Sequence, residues 1–415
     1  MGVICVVVNA SFWWKRSRQP RQAVVAEPLS APATLSVPLD ARIEAEQKEQ
    51  YLAQNPSDAA VRQDLARLYF IYRNFPKAIE HLLILKEQQP RDAAIRVRLA
   101  MAYKQINQLD EALTAVQQAL SLSPHNTVAR EVLGDIYLAQ GRSEDALREF
   151  DRCLQQNPKS FNAWMGKARG LEQLYIARRP IATTDIVRPV KEAVKLQPNN
   201  PRGLSTLARM TFVYLAQLDE AERLARRAIA IDPSLAEPYL VLVEIFLNKP
   251  TPDHLDEAEQ LAKKAAELDT SRPEPYYLLG RVQMRRNKVR EAVVSLERSM
   301  QIESMPETVY MLSLAYARVG EAEKARHYKD IYKRWNAFME KRKVLLGELQ
   351  HKPQDVGLYC RLAELYLSTG DLVPAENWLR KAQKLQQNHP RVRALMAQLE
   401  RHKSPAERSD ATSHP

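Results

Sequence analysis

Eight alanines, Ala78, Ala112, Ala146, Ala221, Ala258, Ala292, Ala325 and Ala375, fall at one phase of a repeat whose undisturbed step is about 34 residues. Pro56, Pro90, Pro124 and Pro158 keep the same step, each just ahead of a new helix-forming stretch. A fixed period of this length marks an array in which one helix-turn-helix unit is copied and stacked.

Upstream of the alanine, a small residue and an aromatic recur as Ala66 and Tyr69, Ala100 and Tyr103, Gly134 and Tyr137, and Ala363 and Tyr366. Paired helices approach closely only where a side chain is small, and the ring fills the groove beside that contact. Fuller units add a preceding leucine (Leu65, Leu99, Leu133, Leu362), a turn glycine (Gly141, Gly320, Gly370) and a bulky residue in the second helix (Leu82, Val116, Phe150, Leu296, Leu379).

These positions resemble the tetratricopeptide repeat family over residues 40–402, about nine units. The family's tryptophan position holds Trp164, Tyr239, Tyr276 and Tyr359 in some units and Arg62, Arg96 and Arg130 in others. The resemblance implies an all-α, right-handed superhelical solenoid whose first helices line a concave groove.

Composition agrees with long solvated helices. Charged residues make up 27% of the chain, only 11 glycines occur in 415 residues, and strand-type alternation is absent. A solenoid grows by adding neighbours, so the length gives repeat number and one extended domain is expected at 40–402. Residues 1–14 are expected to form a short apolar leader, 15–39 a basic and then Pro/Ala-rich linker, and 403–415 a disordered tail.

Three departures from the period locate irregularities. Pro158 to Pro198 overshoots the undisturbed step by six, and the excess at 177–188, with Pro180 and Pro189, predicts a bulging loop that breaks the second helix. Ala221 to Ala258 overshoots by three, which places a proline-bearing turn at 248–254. Ala325 to Ala375 overshoots by sixteen, and the stretch from Glu321 to Leu346 lacks proline and glycine. It predicts a helix of roughly 24 residues, about 36 Å long. In that stretch Tyr328, Tyr332, Trp335 and Phe338 are spaced as a buried stripe, and Arg326, Lys329, Lys333, Arg334, Lys341, Arg342 and Lys343 as its solvated back.

No catalytic, cofactor or metal site is read. The eight histidines are scattered, no Gly-rich loop or nucleophile elbow occurs, and Cys5, Cys153 and Cys360 form no C-x-x-C pair. His81 reads as a surface residue on a second helix. The acidic pairs Asp110-Glu111, Asp219-Glu220 and Asp256-Glu257 mark helix N-termini, where negative charge suits the macrodipole.

The expected function is therefore protein binding by a non-catalytic scaffold. The resemblance places recognition residues on the first helices. Those selected are Arg67, Met101, Lys104, Met165, Arg169, Tyr277, Arg281, Met284 and Arg285, with Glu131, Asp135, Leu138, Glu172 and Arg209 beside them. The partner expected is an extended or helical protein segment of partly acidic character; no nucleic acid or small-molecule substrate is expected. Gln63, Arg67, Val97 and Met101 do not supply the lysine and asparagine clamp that family members use for a chaperone's C-terminal carboxylate. Two alternatives stand beside this: a non-catalytic subunit of a secretion, polysaccharide-assembly or glycosyl-transfer complex, and an RNA-associated repeat protein favoured only by the basic tail from Arg380 onward.

The leader carries separate information. Residues 2–14, GVICVVVNASFWW, are largely apolar and are followed by Lys15, Arg16, Arg18 and Arg21. Thirteen residues span about 20 Å as a helix, against roughly 30 Å of hydrocarbon. An interfacial anchor, or a span clipped at its start, is expected, with the cations and the repeats on the cytoplasmic side. A cytoplasmic chain is the alternative.

Overall fold

First helices start where a short polar side chain recurs once per repeat, at Asp58, Asp92, Asn126 and Ser160. Each accepts a hydrogen bond from an otherwise orphaned N–H of its own first turn, at Ala60 and Val61, Ala94, Ala129 and Ala163 respectively. Second helices start differently. Asp110 and Glu111, Glu144 and Asp145, and Asp219 and Glu220 lie in their first turns, as charge near a positive helix end requires.

The computed structural model describes residues 39–177 and 179–402. The leader, the linker and the tail at 403–415 lie outside the described residues. Contacts divide the chain after Ser271 into two units. The first holds α1 (Leu39–Gln54) and six helix pairs: α2 (Ala59–Ile71) with α3 (Phe75–Gln88), α4 (Ala93–Gln105) with α5 (Leu109–Leu122), α6 (Thr127–Ala139) with α7 (Ser143–Gln156), α8 (Phe161–Ile176) with α9 (Thr183–Leu196), α10 (Pro201–Leu215) with α11 (Leu218–Ile231), and α12 (Ala236–Asn248) with α13 (Pro252–Leu268). The second holds α14 (Pro273–Arg285) with α15 (Val289–Ile302), α16 (Pro306–Val319) with α17 (Ala322–His351), α18 (Val356–Leu367) with α19 (Leu372–Leu385), and a closing α20 (Pro390–His402). No strand occurs among the described residues.

Seven of the eight phase alanines are fully buried, and Ala325 is half-buried. Their smallness lets the two helices of a pair meet. In the third pair, Phe150 wedges between successive first helices where Gly134 and Gly166 stand: a methyl group added at Gly134 would lie 2.7 Å from the ring, and one at Gly166 closer still.

Five of the seven residues at the tryptophan position share one function. Arg62, Arg130, Trp164, Tyr239 and Tyr359 each donate to the carbonyl of the proline six residues earlier, at 2.7–3.0 Å. The site demands a long side chain with a polar N–H or O–H end, which fixes the loop between units; the ring is optional.

The turn from first to second helix needs one left-handed residue. Gly141, Gly320 and Gly370 supply it, and Arg73, Asn107, Ala216 and Asn287 fill the role elsewhere with φ of 60°, 62°, 53° and 61°. A Cβ in that conformation costs about 1–2 kcal/mol. Ala216→Gly is therefore expected to stabilise the fold by about 1 kcal/mol. The measurement is the midpoint of urea unfolding, and a lower midpoint for the glycine variant would contradict the expectation.

Several sequence expectations are corrected. The 177–188 excess is a loop only up to Ala182, and α9 runs through the buried Pro189 in its second turn, forgoing one i→i−4 hydrogen bond there. The 248–254 turn ends early because Thr251 caps α13 and Pro252 takes its first position, so Asp256 and Glu257 lie beyond the first turn. His81 is buried: it stacks on Tyr69 at 5.6 Å, and its Nε2 lies 3.4 Å from Glu49. Cys153 is buried with its thiol against the Thr127 carbonyl, and burial pushes that thiol up to about 12, so it is inert packing as expected.

Helix α17 is 30 residues, six longer than expected. It passes through Gly347, beside which nothing lies within 4 Å, and ends just before Pro353. Its aromatic stripe packs inward, with Tyr328 on Tyr316, Tyr332 on Tyr310 and Phe338 on Tyr366. The expected burial is only partial, since no residue of α17 is fully buried.

Candidate functional site

On each first helix, the residue after the small contact residue is rotated by about 100° out of the helix-helix interface. In the first unit these residues are Arg67, Met101, Asp135, Arg169, Arg209 and Glu244, following the buried Ala66, Ala100, Gly134, Ala168, Ala208 and Val243. They form one row across successive first helices.

Ion pairs stitch this row together. Asp135 on α6 accepts from Lys104 Nζ of α4 at 2.8 Å and from Arg169 of α8 at 2.7 Å. Next along the face, Glu172 of α8 is held bidentately by Arg209 of α10 at 2.7 and 3.1 Å and accepts from the Tyr214 hydroxyl at 2.8 Å. Arg209 also reaches Glu237 of α12 at 4.0 Å. Tyr175 meets Tyr214 edge-on at 5.5 Å.

Burial alone would raise the Asp135 and Glu172 carboxyls, but Arg169 and Lys104 outweigh it for the first and Arg209 for the second. Both are held below the usual carboxylate range. Tyr214, buried beside the Glu172 charge, is pushed far up and stays protonated. Groups so fixed in one ionisation state suit charge recognition and rigid positioning, not proton transfer near neutrality.

Of the residues selected from sequence, the structure brings Lys104 and Arg169 together through Asp135. Arg67 is exposed, and Met101 and Met165 are half-buried on the same side of the first helices. In the second unit, Tyr277 and Met284 are buried at 8% and 7% exposure, so little of either side chain reaches the surface. Arg281 is half-buried with its guanidinium 5.6 Å from the Tyr277 ring, and Arg285 is exposed.

Sequence mapping missed Ser205, Phe212, Leu240, Glu244 and Leu247, which hold the corresponding places on α10 and α12. The signal was the residue pair Ala208-Arg209, displaced from Ala168-Arg169 by six positions more than one repeat. Among the described residues no group of His, Cys, Asp and Glu is arranged to hold a metal ion.

A stack of helix pairs with a charged face along its first helices defines a helical-repeat interaction scaffold. Tetratricopeptide repeat models match residues 64–127, 105–170 and 343–399, and the chain belongs to the tetratricopeptide repeat family. Members of this family are generally non-catalytic scaffolds for protein interaction. No curated protein matches the chain.

Similar solved structures include a human IFIT1 dimer with m7Gppp-AAAA, 16% identical with a TM-score of 0.46, covering 85% of this chain and 96% of that one. A thermophilic repeat protein of Thermus thermophilus is 20% identical with a TM-score of 0.41, covering 46% of this chain and all of that one. A repeat protein of Parabacteroides merdae is 16% identical with a TM-score of 0.46, covering 65% of this chain and 99% of that one.

Proposed function

We propose that this chain is a non-catalytic adaptor that holds an extended, partly acidic segment of a partner protein along the face formed by its first helices. The observation that carries the reading is the row from Arg67 through Met101 and Asp135 to Arg169. Its residues are exposed or half-buried, while the residues immediately before them form the core.

A partner laid across this row meets cations at Arg67 and Arg169 and adaptable apolar contact at Met101 and Met165. The ion pairs through Asp135 hold the side chains in place beforehand, which lowers the entropy lost on binding. Arg285, exposed on α14, offers similar charge in the second unit.

Site-specific photocrosslinking tests the reading in native extracts. A photoreactive phenylalanine analogue at Met101 or Met165 is expected to capture the same partner peptide, and one at Val294, an exposed residue of the second helix α15, is not. Capture from Val294 alone would place the binding surface on the outer face and end the proposal. No helix of the described residues is long and apolar enough to cross a membrane.

A further inference from the structure

Three positions of a first helix face the first helix of the next pair. In α6 they are Glu131, Asp135 and Leu138: Glu131 accepts from Ser160, Asp135 accepts from Arg169 and Leu138 lies beside Gly170, all of them in α8 or its cap. In α14 the same positions are Tyr277, Arg281 and Met284, and Arg318 of α16 donates to the Met284 carbonyl at 3.3 Å. In α16 they are Tyr310, Leu314 and Ala317, and all three are exposed, the first two at 44% and 39%.

The length of α17 is the cause. Its near half holds α16, with Tyr328 on Tyr316 and Tyr332 on Tyr310. Its far half holds α18, with Phe338 on Tyr366 and Glu348 accepting from Arg361 at 3.0 Å. The sixteen extra residues carry α18 about 24 Å along the helix, so it does not lie beside Tyr310 and Leu314.

The second-helix wall changes to match. One and four positions after the phase alanine, Leu147 and Phe150 of α7 meet Gly170 and Gly166 of α8, and Leu154 stands one helical turn further on. At these positions α5 has Leu113, Val116 and Leu120, and α15 has Val293, Leu296 and Met300. Helix α17 instead has Arg326, Lys329 and Lys333, all exposed. Lys333 lies 3.7 Å from Asp330, while Arg326 and Lys329 meet no carboxylate among the described residues. A pair that merely ended a stack would be polar on both walls. Here the α17 wall is cationic, and the α16 wall is largely apolar, with no carboxylate from Thr308 to Gly320.

We propose that this place is taken by an amphipathic helix of a partner protein, apolar toward Tyr310 and Leu314 and acidic toward Arg326, Lys329 and Lys333, which continues the stack where a first helix would otherwise lie. A helix is the shape that fills this place in the other repeats, and Tyr310, Leu314 and Ala317 follow the spacing of a stripe that packs on a helix. The three cations select its charge. The inference rests on the reading of the chain as a protein-binding adaptor, and differs from it in the place used and in the shape of the partner.

The test selects phage-displayed peptides of about 14 residues, roughly one first helix long, against the full chain and discards those that also bind Leu314→Glu. The survivors are expected to carry large apolar residues at helical spacing (i, i+4, i+7) flanked by Asp or Glu. A synthetic peptide of their consensus should bind Lys329→Glu with Lys333→Glu at least about tenfold more weakly, and a peptide with its acids changed to lysine should recover binding to that variant. Leu314, Lys329 and Lys333 are exposed, so each variant should keep its fold. Survivors without the spacing or without acids, no survivors, or affinity indifferent to the lysine reversal would overturn the proposal. If the peptides fail while a 20-residue oligouridylate binds and is lost on the lysine reversal, the place belongs to nucleic acid. If the selection yields only peptides that need Arg67 and Arg169, this inference fails and the binding face of the first unit stands.

Discussion

Glu172→Ala is expected to be among the most damaging single changes to the first unit, costing about 3–5 kcal/mol, because it leaves the Arg209 guanidinium buried without its bidentate partner. It also removes the acceptor of the Tyr214 hydroxyl. Arg209→Met in the Glu172→Leu background should recover most of the loss, since apolar replacement of both partners removes the unpaired charge.

The same pair sets a pH dependence. Glu172 and Asp135 have folded pKa values below their unfolded ones, so the unfolded chain binds more protons in that interval. Their stabilisation is full above about pH 4.5 and is lost as pH falls through the depressed folded values. Urea midpoints measured from pH 7 downward should show this acid loss in the wild type and a shallower one in Glu172→Gln. An equal slope in both would contradict the assignment.

Phe150→Ala is expected to cost about 3–5 kcal/mol, since it empties the space between α6 and α8 that the ring fills at 1% exposure. The two glycines facing the ring allow a sharper test. Gly166→Ala alone should destabilise by about 1–3 kcal/mol through overpacking, despite a helix-propensity gain of about 1 kcal/mol. In the Phe150→Leu background the clash is relieved, and the same glycine change should become neutral or stabilising. Gly166→Ala costing the same in both backgrounds would show that Phe150 does not impose the glycine.

The repeat was legible because its cause is steric and recurs at one spacing: seven of the eight phase alanines are fully buried, as close helix contact requires. What stayed hidden depends on chemistry that several residue types can supply. The left-handed turn residue reads clearly as Gly141 and not at all as Arg73 or Ala216, although the backbone is the same. Arg62 and Arg130 look like departures from an aromatic position until their hydrogen bonds to Pro56 and Pro124 show that a donor is what the position needs.

The face itself was half legible. Lys104 and Arg169 were placed correctly on first helices, but Asp135 as their shared partner is a contact between residues about one repeat apart, which no local pattern encodes. Beyond the insertion at 177–188 the counting rule slips by six positions at Ser205 and, with one further residue between Pro198 and Pro233, by seven at Leu240 and Glu244, which puts all three out of register. His81 looked like a surface residue because the aromatic and carboxylate that bury it, Tyr69 and Glu49, come from other helices.

The central claim, that partners bind along the first-helix face, is tested most directly by charge reversal on the two faces. Once a partner peptide has been captured, its equilibrium affinity is measured for the full chain, for Arg67→Glu and Arg169→Glu singly and together, and for Arg148→Glu with Arg223→Glu on second helices. All four arginines are exposed, so the fold should survive each change. Binding at least about tenfold weaker, roughly 1.4 kcal/mol, is predicted for the first-helix double variant, and unchanged binding for the second-helix one. The reverse pattern, or equal loss from both, would contradict it.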